Sequence, residues 1–246
     1  MRKALFALFL LAAGMPASAQ DGKGQVILTP MAGVNVSWMA PNQPYKETSA
    51  KVGVVAGVEA EYMVSDRLGV SLGALYSQLG RKKEGWLHKS LTEKIDYLNI
   101  PLMVNYHVWK GLTLKAGIQP SLRLNSKWDG EEYIYRVDRP DIEEGVLYYE
   151  SPDISEYLQD DATYGYKGKD FNDNTNGVVI GIPVGVAYEY KGFVLDARFV
   201  LSLTDTYKDI TKEYIQDGKN IQRGYYLNEK SKNRNFQITL GYRFRL

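Results

Sequence analysis

The chain has no cysteine in 246 residues, which excludes both a disulfide framework and a thiolate metal site. Its only histidines are His88 and His107, too few for a histidine-rich metal centre. Basic and acidic residues almost cancel, with a formal net charge of +1, so there is no general nucleic-acid signal and no nucleic-acid partner is expected. Beyond the first twenty residues, no apolar run approaches the roughly 20 residues that a membrane-spanning helix requires. If this chain is in a membrane, it must cross as a closed barrel of strands. Nucleotide-binding and metal-binding motifs are also missing, and no cofactor is expected.

The N-terminus reads as a secretory signal. Arg2 and Lys3 precede an apolar stretch from Ala4 to Ala13, and Ala17-Ser18-Ala19 is a small-residue cleavage site. Residues 1–19 are therefore expected to be removed, leaving 20–246 as one domain.

The mature part alternates apolar and polar residues over long runs, which is the period of a strand with one oily face. The clearest case is Asp96 to Leu124, two strands around a short turn at Val108 to Gly111. Leu98, Ile100, Leu102, Val104 and Tyr106 share one face, against Tyr97, Asn99, Pro101, Met103 and Asn105. The same pattern predicts strands at Gln25–Trp38, Val52–Met63, Leu68–Leu79, Gly177–Tyr190, Phe193–Leu203 and Arg234–Leu246. Each can cross a bilayer as a tilted strand, which takes about 9–11 residues.

The expected fold is an all-β, eight-stranded antiparallel up-and-down transmembrane barrel. Short connections near 64–67, 108–111 and 191–192 alternate with long ones near 39–51, 80–94, 128–176 and 204–233. Outer-membrane barrels have short periplasmic turns and long external loops, so both termini are expected on the periplasmic side. Pro30, Pro101, Pro120 and Pro183 fall inside strands, and a closed barrel has no edge to receive them, so local bulges are expected there.

Charge sets the orientation of the two faces. Glu59, Glu61, Glu189 and Asp196, with Lys115, Arg123, Arg198, Arg243 and Arg245, all fall on polar faces. A lysine or arginine facing lipid at the bilayer centre costs about 2–4 kcal/mol, so these residues belong inside. An eight-stranded barrel has only enough interior for side chains, which predicts an ion-pair network plugging the lumen rather than an ion path. Aromatic residues near strand ends, including Trp38, Tyr76, Tyr106, Trp109, Tyr188 and Tyr242, predict two interfacial girdles.

Three stretches carry a family resemblance. Tyr97-Leu98-Asn99-Ile100-Pro101-Leu102 resembles a Y-L-x-I-P-L pattern, followed by a strand like Leu114-Lys115-Ala116-Gly117. Tyr190 to Phe199 resembles a penultimate hairpin, and Asn233 to Phe244 a closing strand. Together they resemble the PorT-like outer-membrane β-barrel family of Bacteroidetes-type bacteria. That resemblance implies a Gram-negative outer membrane, a barrel without catalytic residues, and a role as accessory to type IX secretion. The closing strand also resembles the signal read by the barrel insertion machinery, through Thr239, Gly241, Tyr242 and Phe244, although the chain ends Arg245-Leu246 rather than on an aromatic.

The loops offer little chemistry. The 128–176 stretch holds 14 acidic and 4 basic residues and is expected to fold over the mouth against its basic neighbours. Asp170, Asn172, Asp173, Asn174 and Asn176 resemble calcium ligands, but Thr175 and Gly181 stand where an EF-hand loop needs Gly and Glu, so a turn is expected. Arg81, Lys82 and Lys83 are candidates for contact with lipopolysaccharide phosphates just outside the membrane. The reading is a non-enzymatic barrel with a structural or interaction role, or an accessory of an envelope secretion machine. Its partners would be outer-membrane lipid, lipopolysaccharide, the insertion machinery and an envelope protein. The rivals are a lipid-modifying enzyme using His88 and a soluble lipocalin-like carrier.

Overall fold

The computed structural model describes residues 22–40, 48–85, 88–137, 158–208, 214–216, 219–221 and 231–246. The expected signal sequence and the centre of the long acidic stretch, with its expected fold over the mouth, lie outside the described residues.

The strands form one closed antiparallel ring. In chain order they are β1 (Val26–Ala40), β2 (Thr48–Met63), β3 (Leu68–Gly85), β4 (His88–Asn99), β5 (Leu102–Trp109) and β6 (Leu112–Val137). There follow β7 (Leu158–Asp170), β8 (Val178–Tyr190), β9 (Phe193–Ser202), β10 (Tyr214–Gln216), β11 (Lys219–Ile221), β12 (Lys232–Tyr242) and β13 (Phe244–Arg245). β4 with β5, β7 with β8, and β12 with β13 each act as one interrupted strand, while β10 and β11 pair only with each other. Eight strands therefore go round the ring, and β12 closes it on β1 from Met31↔Gly241 to Ala40↔Lys232. Closure leaves no sheet edge in the ring to recruit another strand.

The ring is inverted relative to a water-soluble protein. Leu102, Val104, Leu114, Leu195 and Leu240 are exposed, whereas Glu59, Lys115, Asp196 and Arg198 are buried. This rules against the lipocalin-like alternative, whose apolar side chains would line the cavity. At the short-turn end, Tyr106, Trp109, Tyr188, Tyr190, Phe193 and Tyr242 point outward, and Phe193 meets Tyr242 edge-on at 5.2 Å. The two-residue turn there is set by Lys191 and Gly192, both at positive φ (50° and 85°), the geometry that matches the twist of a tight hairpin.

Two expectations need correction. Prolines do not produce bulges. Pro30 opposes Val58 and Pro183 opposes Val200 with no shift of register. Instead, the ladder lapses beside them. Pairing of β1 with the closing strand skips from Met31↔Gly241 to Leu28↔Phe244, next to Pro30. Likewise β6 and β8 are unpaired between Ala116↔Val184 and Gln119↔Gly181, next to Pro183. Pro101 separates β4 from β5, where Ile100 N–H reaches the Pro120 carbonyl at 2.8 Å. A proline removes one donor but inserts no residue, so the hydrogen bonds are lost and the alignment is kept.

The second correction concerns the long connections. β3, β4, β6 and β7 run past the apolar band into stretches read as loops, pairing through Arg81↔Glu93, Thr92↔Asp129 and Trp128↔Lys169. Outside the band no oily face is required, so apolar alternation fades while backbone pairing continues. The result is a raised wall at the long-loop end.

Candidate functional site

The lumen is filled in layers, beginning at the short-turn end. Glu61 of β2 accepts a hydrogen bond from Arg243 Nη2 at 2.9 Å and contacts His107 Nε2 at 2.9 Å. The other nitrogen of His107 meets Thr113 Oγ1 at 3.0 Å. Glu189 holds Arg243 Nη1 at 3.0 Å and Arg245 Nη2 at 2.5 Å. This set therefore ties β2, β8 and the closing strand together across the barrel.

A second set binds β2, β6 and β9. Arg198 donates through Nη2 to Glu59 at 2.6 Å and through Nε to Asp196 at 2.6 Å. Lys115 donates to Asp196 at 2.9 Å and also to Glu59. Two acids and two bases thus neutralise one another in a space from which solvent is nearly excluded, with Arg198 0 % exposed. Charges buried this completely persist only when paired and hydrogen-bonded, as these are.

Toward the long-loop end the lining becomes apolar, which the charge pattern did not reveal. Met31, Val55 and Leu75 form one cluster, and Met39, Leu79, Ile95, Tyr97, Phe171 and Val179 a second. Phe171 precedes a single 3-10 turn, Asn172–Asn174, and stacks on Trp128 with ring centres 4.9 Å apart. That turn is the stretch resembling calcium ligands. Its Asn172 side chain accepts from Ser126 N at 2.8 Å, from Ser126 Oγ at 2.9 Å and from Arg123. Arg123 is thus inside the barrel but serves the turn, not the carboxylates of the two ionic sets.

The third cluster lies inside the raised wall. Glu93, fully buried, takes Arg81 Nε at 2.6 Å and Lys83 Nζ at 2.9 Å, and the Tyr207 hydroxyl donates to it. Arg81 also sits 5.1 Å over the Tyr207 ring. Arg81 is therefore no candidate for lipopolysaccharide: it is 1 % exposed and points inward. Lys83 is committed to Glu93, and Lys82 alone of the three is exposed. The signal was available in parity. Leu75, Ser77, Leu79 and Arg81 are every second residue of β3, and Glu93, Ile95 and Tyr97 of β4, all inward. Tyr207 and its neighbours are pinned over the mouth by Asn176 N–H to the Thr206 carbonyl at 2.9 Å and Lys208 N–H to the Asn174 carbonyl at 3.0 Å.

On the closing strand, Thr239 and Gly241 face inward, with Tyr242 outward and Phe244 packed against it at 5.0 Å. The side chain of His88 lies outside the described residues, and no group of three or more His, Asp or Glu able to hold a metal ion occurs among the described ones.

The inverted ring, its short turns and its filled lumen agree with a comparison to protein families. The family model described as an outer membrane protein beta-barrel domain matches residues 18–208. The chain belongs to that family. It is an outer-membrane β-barrel protein of a Gram-negative envelope, and its exposed apolar band faces lipid. No curated protein matches the sequence. Among solved structures it is similar to Ail, the attachment invasion locus protein of Yersinia pestis, in complex with the heparin analogue sucrose octasulfate. The identity is 12 %, over 90 % of this chain and 99 % of that one, with a TM-score of 0.45. It is also similar to OprG of Pseudomonas aeruginosa (13 % identity, 91 % and 97 % covered, TM-score 0.37). A further similar structure is outer membrane protein W of E. coli (16 % identity, 92 % and 100 % covered, TM-score 0.35).

Proposed function

We propose that this barrel is a non-enzymatic interaction protein that presents its raised wall and long connections outside the cell, with both termini in the periplasm. The observation that carries the reading is the filled lumen. Two neutral ion-pair sets and an apolar layer sealed by Phe171 leave the long-loop end as the part of the molecule built to meet something else. Strands extended beyond the lipid band, as β3, β4, β6 and β7 are, serve no purpose in spanning it and suit a display surface. Lys82 remains as a contact for lipopolysaccharide phosphates.

Reconstitution in planar bilayers tests the closed lumen: the wild-type barrel should give no steady conductance, and stable ion channels would overturn the reading. An epitope tag placed within 138–157 should be detected on intact cells and a C-terminal tag only after permeabilisation; the opposite pattern would invert the orientation.

The PorT-like resemblance supports a narrower reading, an accessory of a secretion machine. Its Tyr97-to-Leu102 motif coincides with the ladder break at Ile100 and Pro101 and with the buried Tyr97 of the apolar plug, which makes it a feature of this barrel's construction. Affinity capture from solubilised outer membranes should then recover secretion components; recovery of the insertion machinery alone would count against it.

A further inference from the structure

The short-turn mouth is open and holds a cleft of about 440 Å³. Its charged lining comprises Arg67, Lys110, Lys191, Arg243 and Arg245 against Asp66 and Glu189, with His107 on the wall. The deeper charges answer one another: Glu61 and Glu189 are matched by Arg243 and Arg245. His107 spends both ring nitrogens on Glu61 and Thr113. Among the other residues that line the cleft, Arg67, Lys110 and Lys191 stand against Asp66.

These three cations make no ion pair with any described residue. Lys110 rests 5.9 Å over the Trp109 ring and Lys191 5.4 Å over the Tyr190 ring. Such contacts hold an ammonium at the rim without neutralising it. The two ionic sets deeper in the lumen match acid to base, two against two, so a surplus gathered around the concave mouth departs from them. Low-dielectric walls strengthen the field that such a surplus projects into the cleft.

We propose that this mouth binds a soluble polyanion carrying two or more phosphate or carboxylate groups. The volume admits a molecule of small-ligand size, since pockets for such ligands span about 300–1,000 Å³. A soluble ligand is favoured over a lipid headgroup because Arg243 and Arg245 place the floor of the cleft inside the ring. Trp109 and Tyr190, on which Lys110 and Lys191 rest, face outward at the edge of the lipid, so added phosphatidylglycerol separates a soluble ligand from a headgroup. The proposal rests on the periplasmic placement of the short turns only for where the ligand is met; binding to purified protein is independent of it.

The test uses the purified barrel in phosphatidylcholine nanodiscs, titrated with tripolyphosphate by calorimetry at low salt. The expected Kd is below about 1 mM, equivalent to about 4 kcal/mol, and it should weaken as salt is raised. A combined Arg67→Gln, Lys110→Gln, Lys191→Asn variant should lose at least about tenfold in affinity, a change of about 1.4 kcal/mol. Lys232→Gln, an exposed lysine at the opposite end, should bind as wild type. These positions lie on exposed turns, asparagine tolerates the positive φ of Lys191, and heat-modifiable gel mobility verifies that the variant is folded. No saturable binding, equal affinity in the variant, or loss only on Lys232→Gln would overturn the proposal. So would complete blocking when phosphatidylglycerol is added to the nanodisc, which would assign the mouth to lipid headgroups.

Discussion

Replacing Arg198 by alanine removes one of the two side chains that bridge both carboxylates of the second ionic set, Lys115 being the other. Its guanidinium meets Glu59 at 2.6 Å and Asp196 at 2.6 Å, with side-chain exposures of 0 %, 5 % and 1 % for the three groups. Lys115 then stands alone against two acids, leaving one uncompensated negative charge in a nearly dry interior. Breaking a buried pair by deleting one partner costs about 3–5 kcal/mol. Water entering the vacated space brings the effect toward the lower end. In urea, where stability falls by about 2 kcal/mol per molar for a protein of modest size, a loss of about 3 kcal/mol lowers the unfolding midpoint by about 1.5 M. The assay is urea unfolding in phosphatidylcholine vesicles, followed by tryptophan fluorescence and by heat-modifiable mobility. Replacing all four residues together, with Met at 115 and 198, Leu at 59 and Asn at 196, should recover much of the loss, because no unpaired charge remains. A midpoint within about 0.3 M of wild type for Arg198→Ala, comparable with an ordinary surface change, would refute the view that this set is dry and mutually dependent.

Other expectations concern the outer face, the ring closure and the cap. Leu102→Arg places a cation on the exposed apolar band and should cost about 2–4 kcal/mol in the same unfolding assay, whereas Lys82→Arg should be silent. Gly33→Val should prevent closure, since even a Cβ there would lie 1.9 Å from the Ile238 carbonyl oxygen; the measurement is the fraction of heat-modifiable protein after refolding. Glu93→Gln removes the charge that Arg81, Lys83 and Tyr207 share at this point and should loosen the segment around Tyr207. Faster proteolysis of intact cells near Tyr207 and Lys208 would report it, and unchanged cleavage would count against the latch.

Strand positions and their inward and outward faces were legible in the sequence because a barrel wall separates two solvents, and every second residue must suit one of them. The same alternation assigns Glu59, Lys115, Asp196 and Arg198 to the inner face, and all four side chains are buried. It failed where the wall leaves the lipid. Arg81 reads as loop because its outward neighbours are polar, yet its parity with Leu75 and Leu79 keeps it inside. Glu93 was missed for the same reason, and Phe171 because a single aromatic in an acidic stretch carries no period. Arg123 alternates with Leu122 and Leu124, but its partner, Asn172, lies 49 residues away in a turn that no pairing rule identifies. The prolines misled in a different way: they signalled a disturbed ladder correctly, but alignment is held by the neighbouring strands on both sides.

The absence of native cysteine allows the inversion itself to be measured. Single cysteines at Phe236, Ile238 and Leu240, outward positions of β12, can carry nitroxide labels in lipid vesicles. Collision with oxygen, which concentrates in lipid, should exceed collision with a water-soluble nickel complex at all three, most strongly at Ile238. Nickel access exceeding oxygen access along the series would mean that this face meets water, and the membrane account of the barrel would be contradicted.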